Sequence, residues 1–221
     1  MLLGIFVLLI FAAKTSGSHF NPAITLAFML RKETDGRFSK PLGLAYIIFQ
    51  LAGGFLGGVL GSILTVTEDG LGVDDAKYIP QAMVAETIGA FFVAFLYLTQ
   101  TEQKTKLSND PAITTLIIAS SYLAAMMMVC GPDSDITPLN PAVALGTIFQ
   151  QFLHGNADAF ARFYVYLGFP LLGGFCAVVF HEFVYKRVSE TIQESEEVDN
   201  VLSKNDDEDA IGVHVNHTLE E

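Results

Sequence analysis

The tripeptide Asn-Pro-Ala occurs twice within apolar sequence, at residues 21–23 and again at residues 140–142. Asparagine is a strong helix N-cap, proline is tolerated at the first helical position, and alanine favours continuation of the helix. Each copy therefore predicts the start of a helix. The apolar stretches that follow, about 22–31 and 141–154, are too short to cross a bilayer. They are typical of re-entrant half-helices in a membrane protein.

Longer apolar segments run over about 1–13, 42–66, 81–100, 111–130 and 160–185. The last four have about 20 residues or more, which is enough to span the hydrocarbon core as helices. The first ends before Lys14 and lacks the basic start and the small-residue cleavage site of a signal peptide. We interpret it as the remaining part of a spanning helix and expect the chain to be truncated at its N-terminus. The pattern, in a chain with 51% hydrophobic residues, predicts a multi-pass integral membrane protein.

The two tripeptides belong to an internal repeat. Each is followed by a half-helix and then by an apolar span with a glycine pair, Gly53-Gly54 in the first copy and Gly173-Gly174 in the second. The spacing from asparagine to glycine is 32 residues in one copy and 33 in the other. Three spans lie between the copies, so the second half-helix must enter the membrane from the opposite face. This is an inverted-topology repeat, whose broken helices meet near the midplane.

Basic residues predict the orientation of the chain. They form three groups: Arg31, Lys32, Arg37 and Lys40; Lys104 and Lys106; Lys186 and Arg187. Alternating spans put all three groups on one side of the membrane, which is then the cytoplasmic side. Of the net charge of −12, residues 188–221 carry −10. We therefore divide the chain into a membrane domain, residues 1–187, and an acidic cytoplasmic tail, residues 188–221, that is expected to be disordered.

Two opposed helix N-termini concentrate unpaired N–H groups and the positive ends of two helix dipoles in one place. Such a site repels cations and protons, whereas a neutral molecule with an oxygen acceptor can pass. Asn21 and Asn140 would offer side-chain N–H donors to that molecule. The sequence contains no nucleophile elbow, no metal-ligand cluster and no phosphate-binding glycine loop. We therefore predict a narrow pore in a lipid bilayer, and no enzyme, cofactor, metal site or nucleic-acid partner.

The run from Ser16 to Ala27 resembles, almost residue for residue, the first re-entrant loop of the aquaporin and aquaglyceroporin (major intrinsic protein) family. The second Asn-Pro-Ala is similar to the second loop, and residues 163–174 look like the last helix of the family. The resemblance implies an all-α membrane protein with an aquaporin-like inverted repeat: about five spanning helices, the first incomplete, and two re-entrant half-helices. It also implies a homotetramer with one pore per subunit, for water or small neutral solutes such as glycerol. The implied pore motifs are Asn21, Pro22, Ala23, Asn140, Pro141 and Ala142.

The resemblance also implies two residues that support the loops. Glu86, near the start of a span, resembles the buried glutamate with which the family steadies a re-entrant loop. A carboxylate at this depth is costly without a partner, and a proton relay is the alternative role. His19 lies in the first loop, where it is either a packing residue that supports the loop or a residue that lines or gates the pore.

The outer constriction departs from the family pattern. The family normally has an arginine directly after the second Asn-Pro-Ala, and this chain has Val143. By family spacing the other filter positions are Met1, Met128 and Thr137. Three of the four would be apolar, which implies a wide filter and a solute range broader than water. Without the arginine and without the family's first helix, the alternative is a non-conducting scaffold or regulatory subunit.

Overall fold

The structure is a computed structural model that describes residues 2–32, 38–64, 78–129 and 137–200. All regular structure in these ranges is helical, which confirms the predicted fold class. The helices are α1 (Leu2–Ser16), α2 (Pro22–Leu30), α3 (Lys40–Leu64), α4 (Ile79–Thr101), α5 (Pro111–Val129), α6 (Pro141–Leu153) and α7 (Phe163–Phe180). Beyond α7 the helix continues through a π-helical segment, His181–Tyr185, as far as Asn200.

Four of these helices are long and apolar enough to cross a membrane: α3, α4, α5 and the continuous helix Phe163–Asn200. Helices α2, with 9 residues, and α6, with 13 residues, are too short to do so. They begin at the two prolines of the repeated tripeptide and end within one residue of the predicted limits. The prediction of two half-helices among longer spans is therefore confirmed.

The expected disorder of the acidic segment is wrong for residues 188–200, which are helical. The Nζ of Lys104 lies 2.8 Å from Oε1 of Glu190, and Nε2 of Gln193 donates to the carbonyl oxygen of Lys104 at 2.9 Å. These contacts attach the helical extension to the connection between α4 and α5. Glutamate and glutamine are also good helix formers, so the segment extends α7 instead of leaving it. Residues 201–221 lie outside the described residues.

The three basic groups predicted to share one side of the membrane lie at one end of the molecule. The Nζ of Lys32 is 5.0 Å from the centre of the Phe183 ring, at the end of the last span. At the same end, Nζ of Lys186 is 3.6 Å from Oε2 of Glu102, which follows α4. Arg37 lies outside the described residues. This grouping is the one that alternating spans require, although which compartment it faces stays a prediction.

Helix α4 forms the centre of the molecule, where it packs against α2, α5 and α7. Two apolar clusters surround the two half-helices. One contains Ile24 and Phe28 of α2 with side chains of α1, α4, α5 and α7, and the other contains Ala144 and Ile148 of α6 with side chains at the starts of α4 and α7. Each half-helix is thus enclosed by apolar side chains of the long helices.

The half-helix of each repeat packs against a long helix of the other repeat. A Cβ added to Gly54 of α3 would lie 2.0 Å from the carbonyl oxygen of Ala142 in α6. In the other half, a Cβ added to Gly174 of α7 would lie 2.4 Å from the carbonyl oxygen of Ala23 in α2. Only glycine allows helix backbones to approach this closely. The second glycine of each pair that marks the sequence repeat therefore connects the two copies crosswise.

We predict that Gly54→Ala destabilises the protein by about 1–3 kcal/mol, because the new methyl group meets helix backbone, which cannot move aside as a side chain could. Gly53→Ala is the matched control, since a Cβ on this neighbouring residue meets nothing within 4 Å. Thermal unfolding of both purified variants in detergent measures the difference. Equal midpoints for the two variants would contradict the close approach of α3 and α6.

Candidate functional site: the meeting point of the two half-helices

The two asparagines cap the half-helices with the same geometry. Asn21 has extended backbone angles, and its Oδ1 accepts from the backbone N–H of Ala23 at 2.9 Å. Asn140 has similar angles, and its Oδ1 accepts from the backbone N–H of Ala142 at 3.0 Å. The proline that follows each asparagine has no N–H to pair. Each side-chain oxygen therefore pairs one of the N–H groups that a helix N-terminus leaves unpaired.

The side-chain nitrogens of the two asparagines bind reciprocally across the centre. The Nδ2 of Asn21 donates to the carbonyl oxygen of Leu139 at 2.9 Å. The Nδ2 of Asn140 donates to the carbonyl oxygen of Phe20, also at 2.9 Å. Each asparagine thus binds the carbonyl of the residue that precedes the other asparagine. These two bonds hold the opposed N-termini end to end.

The residues before the asparagines adopt left-handed backbone conformations, with φ of 45° at Phe20 and 51° at Leu139. For a residue with a side chain this region costs about 1–2 kcal/mol. The conformation turns each carbonyl group toward the opposite half-helix, where the asparagine donates to it. The two bonds offset the strain, and the strain appears at the place where the loops meet, as is usual at functional sites.

The first loop is tied to the surrounding helices. The Oγ of Ser18 donates to the carbonyl oxygen of Leu9 in α1 at 2.5 Å, and the hydroxyl of Tyr97 in α4 donates to the carbonyl oxygen of Gly17. The ring of His19 is buried, and its Nδ1 lies 3.3 Å from Oγ1 of Thr25 in α2. Four aromatic rings surround it: Phe28, Phe38, Tyr46 and Tyr97. This environment favours the packing role of His19 over a place in an open pore.

The second loop is tied to α4 by Glu86. The backbone N–H of Leu139 donates to Oε2 of Glu86 at 3.1 Å, and the glutamate is completely buried. Its other oxygen, Oε1, has no hydrogen-bond partner among the described residues. The contact supports the structural role of Glu86, because Glu86 accepts the hydrogen bond of the backbone N–H of Leu139, a residue with a strained conformation.

The four filter candidates are placed differently from one another. Thr137 is buried, three positions before Asn140. Val143 lies in the first turn of α6 and is half-exposed, and Met128 lies near the end of α5 and is also half-exposed. Met1 lies outside the described residues.

A residue that the sequence analysis missed reaches the centre from α5. The hydroxyl oxygen of Tyr122 lies 3.3 Å from Nδ2 of Asn21. Tyr122 stands in the middle of an apolar span, where nothing in the local pattern distinguishes it from a packing residue. Its position was visible only once the register of α5 against the half-helices was known.

Together these features define a class of protein. Non-helical backbone at membrane depth is tolerated only where it is buried in protein or lines a water-filled cavity. Here two strained loops and two helix N-termini meet inside a bundle of membrane-spanning helices. The chain is a multi-pass integral membrane protein that places two capped half-helices end to end.

The sequence model of the major intrinsic protein family matches residues 1–181 of the chain. The chain belongs to this family, whose members are membrane channels and not enzymes. It is 28% identical over 191 residues to a probable aquaporin PIP2-8 of Oryza sativa subsp. japonica, with 82% of this chain and 66% of the relative covered. It is 26% identical over 190 residues to aquaporin PIP2-1 of Arabidopsis thaliana, with 82% of this chain and 63% of the relative covered.

Among solved structures, the fold is similar to that of the aquaglyceroporin from Plasmodium falciparum. The TM-score is 0.68 at 18% sequence identity, with 86% of this chain and 82% of the other covered. At this identity the likeness concerns the fold alone. The chain spans 62–66% of the length of the first three relatives it matches.

We predict that Glu86→Ala destabilises the protein by about 1–3 kcal/mol, because the buried N–H of Leu139 loses its acceptor. Glu86→Gln is the matched control, since its amide oxygen can take the place of Oε2 and accept the same bond. Thermal unfolding in detergent should rank wild type and Glu86→Gln close together and Glu86→Ala well below them. A Glu86→Gln variant as unstable as Glu86→Ala would show that the charge of Glu86, and not the bond to Leu139, is required.

Proposed function

We propose that the chain is a passive channel for water and small neutral solutes such as glycerol. The proposal is carried by one observation: the two capping asparagines are fixed at opposed helix N-termini by bonds that use one N–H of each amide. The second N–H of Asn140 has no acceptor among the described residues. It is a fixed donor at the centre of the membrane domain, suited to the oxygen of a passing molecule.

The electrostatics of this centre favour neutral solutes. Each half-helix N-terminus is equivalent to roughly half a positive charge. Two such ends at one point oppose the entry of cations and protons, while an uncharged molecule with an oxygen acceptor gains a hydrogen bond. Relatives that carry the name aquaporin agree with this solute class.

The side chains expected at the outer constriction support a solute range wider than water. Val143 follows the second Asn-Pro-Ala, where the family normally has an arginine, and its half-exposed side chain offers neither charge nor hydrogen bond. With Thr137 and Met128 it would form a mostly apolar filter. A filter of this kind admits a larger hydroxylic solute such as glycerol more readily than one narrowed by a guanidinium group.

The assembly and orientation follow from the same proposal. We propose a homotetramer in a lipid bilayer with one pore in each subunit. The end that carries Lys32, Lys104 and Lys186 would face the cytoplasm, because basic residues near span ends concentrate there. The helical extension from residue 188 would then be cytoplasmic as well.

A second candidate function is a non-conducting scaffold or regulatory subunit with the same fold. It is favoured by the small exposure of the asparagines, 1% for Asn21 and 5% for Asn140, which leaves little surface for a solute. It predicts no permeability, together with stable association with another membrane protein. Purification from mild detergent distinguishes the two, because a channel is expected to give homotetramers alone.

The direct test is stopped-flow light scattering on vesicles that carry the purified chain. We expect swelling or shrinkage faster than in empty vesicles under gradients of water and of glycerol. Rates equal to those of empty vesicles for both solutes, with the protein shown to be folded and inserted, would contradict the channel and favour the scaffold.

We also predict that Val143→Trp lowers the permeability for both solutes to the level of empty vesicles, because an indole three residues after Asn140 would obstruct the proposed path. Val84→Trp is the matched control: Val84 is equally exposed, but it lies on the face of α4 opposite Glu86 and so points away from the half-helices. The permeability of the Val84→Trp variant should equal that of the wild type. Equal effects of the two substitutions would mean that Val143 does not line the path.

A further inference from the structure

The side-chain N–H donors of the two asparagines are not paired in the same way. A side-chain amide has two N–H donors. The Nδ2 of Asn21 has two acceptors within reach, the carbonyl oxygen of Leu139 at 2.9 Å and the hydroxyl oxygen of Tyr122 at 3.3 Å. Asn140 uses one, to Phe20, and its second donor has no acceptor among the described residues. The pseudo-symmetry of the two half-helices is therefore broken at Asn21.

Tyr122 is built into this position. It lies in α5, is 8% exposed, and belongs to the same apolar cluster as Ile24 of the first half-helix and Leu139 of the second loop. Its ring is thus packed among residues of both copies of the repeat. Its hydroxyl oxygen accepts from Asn21, while the hydroxyl proton has no acceptor among the described residues.

We propose that Tyr122 is a pore residue whose hydroxyl occupies the second donor of Asn21 until a permeating molecule displaces it. This inference rests on the proposed channel function. A solute at the centre then meets the free N–H of Asn140 and the hydroxyl of Tyr122, and it must exchange with that hydroxyl to bind Asn21. Because a phenol both donates and accepts, the site favours hydroxylic solutes, which can replace each of its hydrogen bonds in turn.

A permeating molecule must break the hydrogen bond between Asn21 and Tyr122, and a substitution of Tyr122 can remove this cost. Tyr122→Phe takes away the hydroxyl alone, so the second N–H of Asn21 becomes available to the solute without displacement of a partner. We expect the permeability per protein for water and glycerol to rise about two- to tenfold, the factor that corresponds to one net hydrogen bond. Tyr164→Phe is the matched control, because it removes the same atom from a half-exposed tyrosine of α7, and it should behave as the wild type.

Tyr122→Leu is the second variant, and it should raise the permeability at least as much, since the ring is removed along with the hydroxyl. Thermal unfolding of each variant is measured with the permeability, because a purely structural tyrosine would change the unfolding temperature and leave the permeability of the folded protein unchanged. That result, or the failure of both variants to fold, would overturn the proposal for Tyr122.

The outcomes separate this inference from the proposed function. A conducting wild type with unchanged Tyr122→Phe and Tyr122→Leu variants leaves the channel in place and removes the role of Tyr122. A silent wild type with conducting variants supports the inference strongly, because the hydroxyl then closes the path. Wild type and both variants equal to empty vesicles, all folded, would overturn the channel itself and with it the role of Tyr122.

Discussion

The fold depends on how the unpaired N–H groups of two helix N-termini find hydrogen-bond acceptors inside a membrane. Lipid offers no hydrogen-bond acceptor to unpaired N–H groups at this depth, and two positive helix ends repel each other. Asn21 and Asn140 solve both problems, because each caps its own half-helix with its oxygen and binds the opposite loop with its nitrogen. The two bonds that cross the centre hold the ends together, and with the two caps they fix the amide groups that would face a solute in the proposed channel. Stability and the proposed function therefore share one set of atoms.

This centre is held in place by long helices that connect the repeats crosswise. Gly54 of the first repeat lies against Ala142 of the second, and Gly174 of the second lies against Ala23 of the first. Glu86 in α4 adds a bond to the second loop, and Tyr97 in the same helix adds one to the first. Each half-helix is thus held in part by helices of the other half. The inverted repeat thus contributes directly to the contacts that position the site.

The sequence was sufficient for the parts that local chemistry determines. Asparagine, proline and alanine define the start of each half-helix, and the apolar lengths separate half-helices from spans. It was not sufficient where tertiary contacts decide. The left-handed backbone at Phe20 is accompanied by the bond from Asn140 to its carbonyl, and Tyr122 reaches Asn21 through the register of α5. The helix over residues 188–200 was missed because acidic composition alone suggested disorder, whereas in the structure the segment continues α7 and contacts Lys104 through Glu190 and Gln193.

The most direct test of the account is a solid-state NMR measurement of the distance across the centre in lipid bilayers. With ¹⁵N in the asparagine side chains and ¹³C in the carbonyl groups of phenylalanine and leucine, dipolar recoupling reports the pairs Asn21–Leu139 and Asn140–Phe20. The structure places the nitrogen of each pair 2.9 Å from the carbonyl oxygen, so the labelled carbonyl carbon is close enough for both pairs to give a measurable coupling. Asn21→Ala should remove the first coupling, and Asn140→Ala the second. Absence of both couplings in the folded protein would contradict the reciprocal bonds on which the site and its proposed function depend.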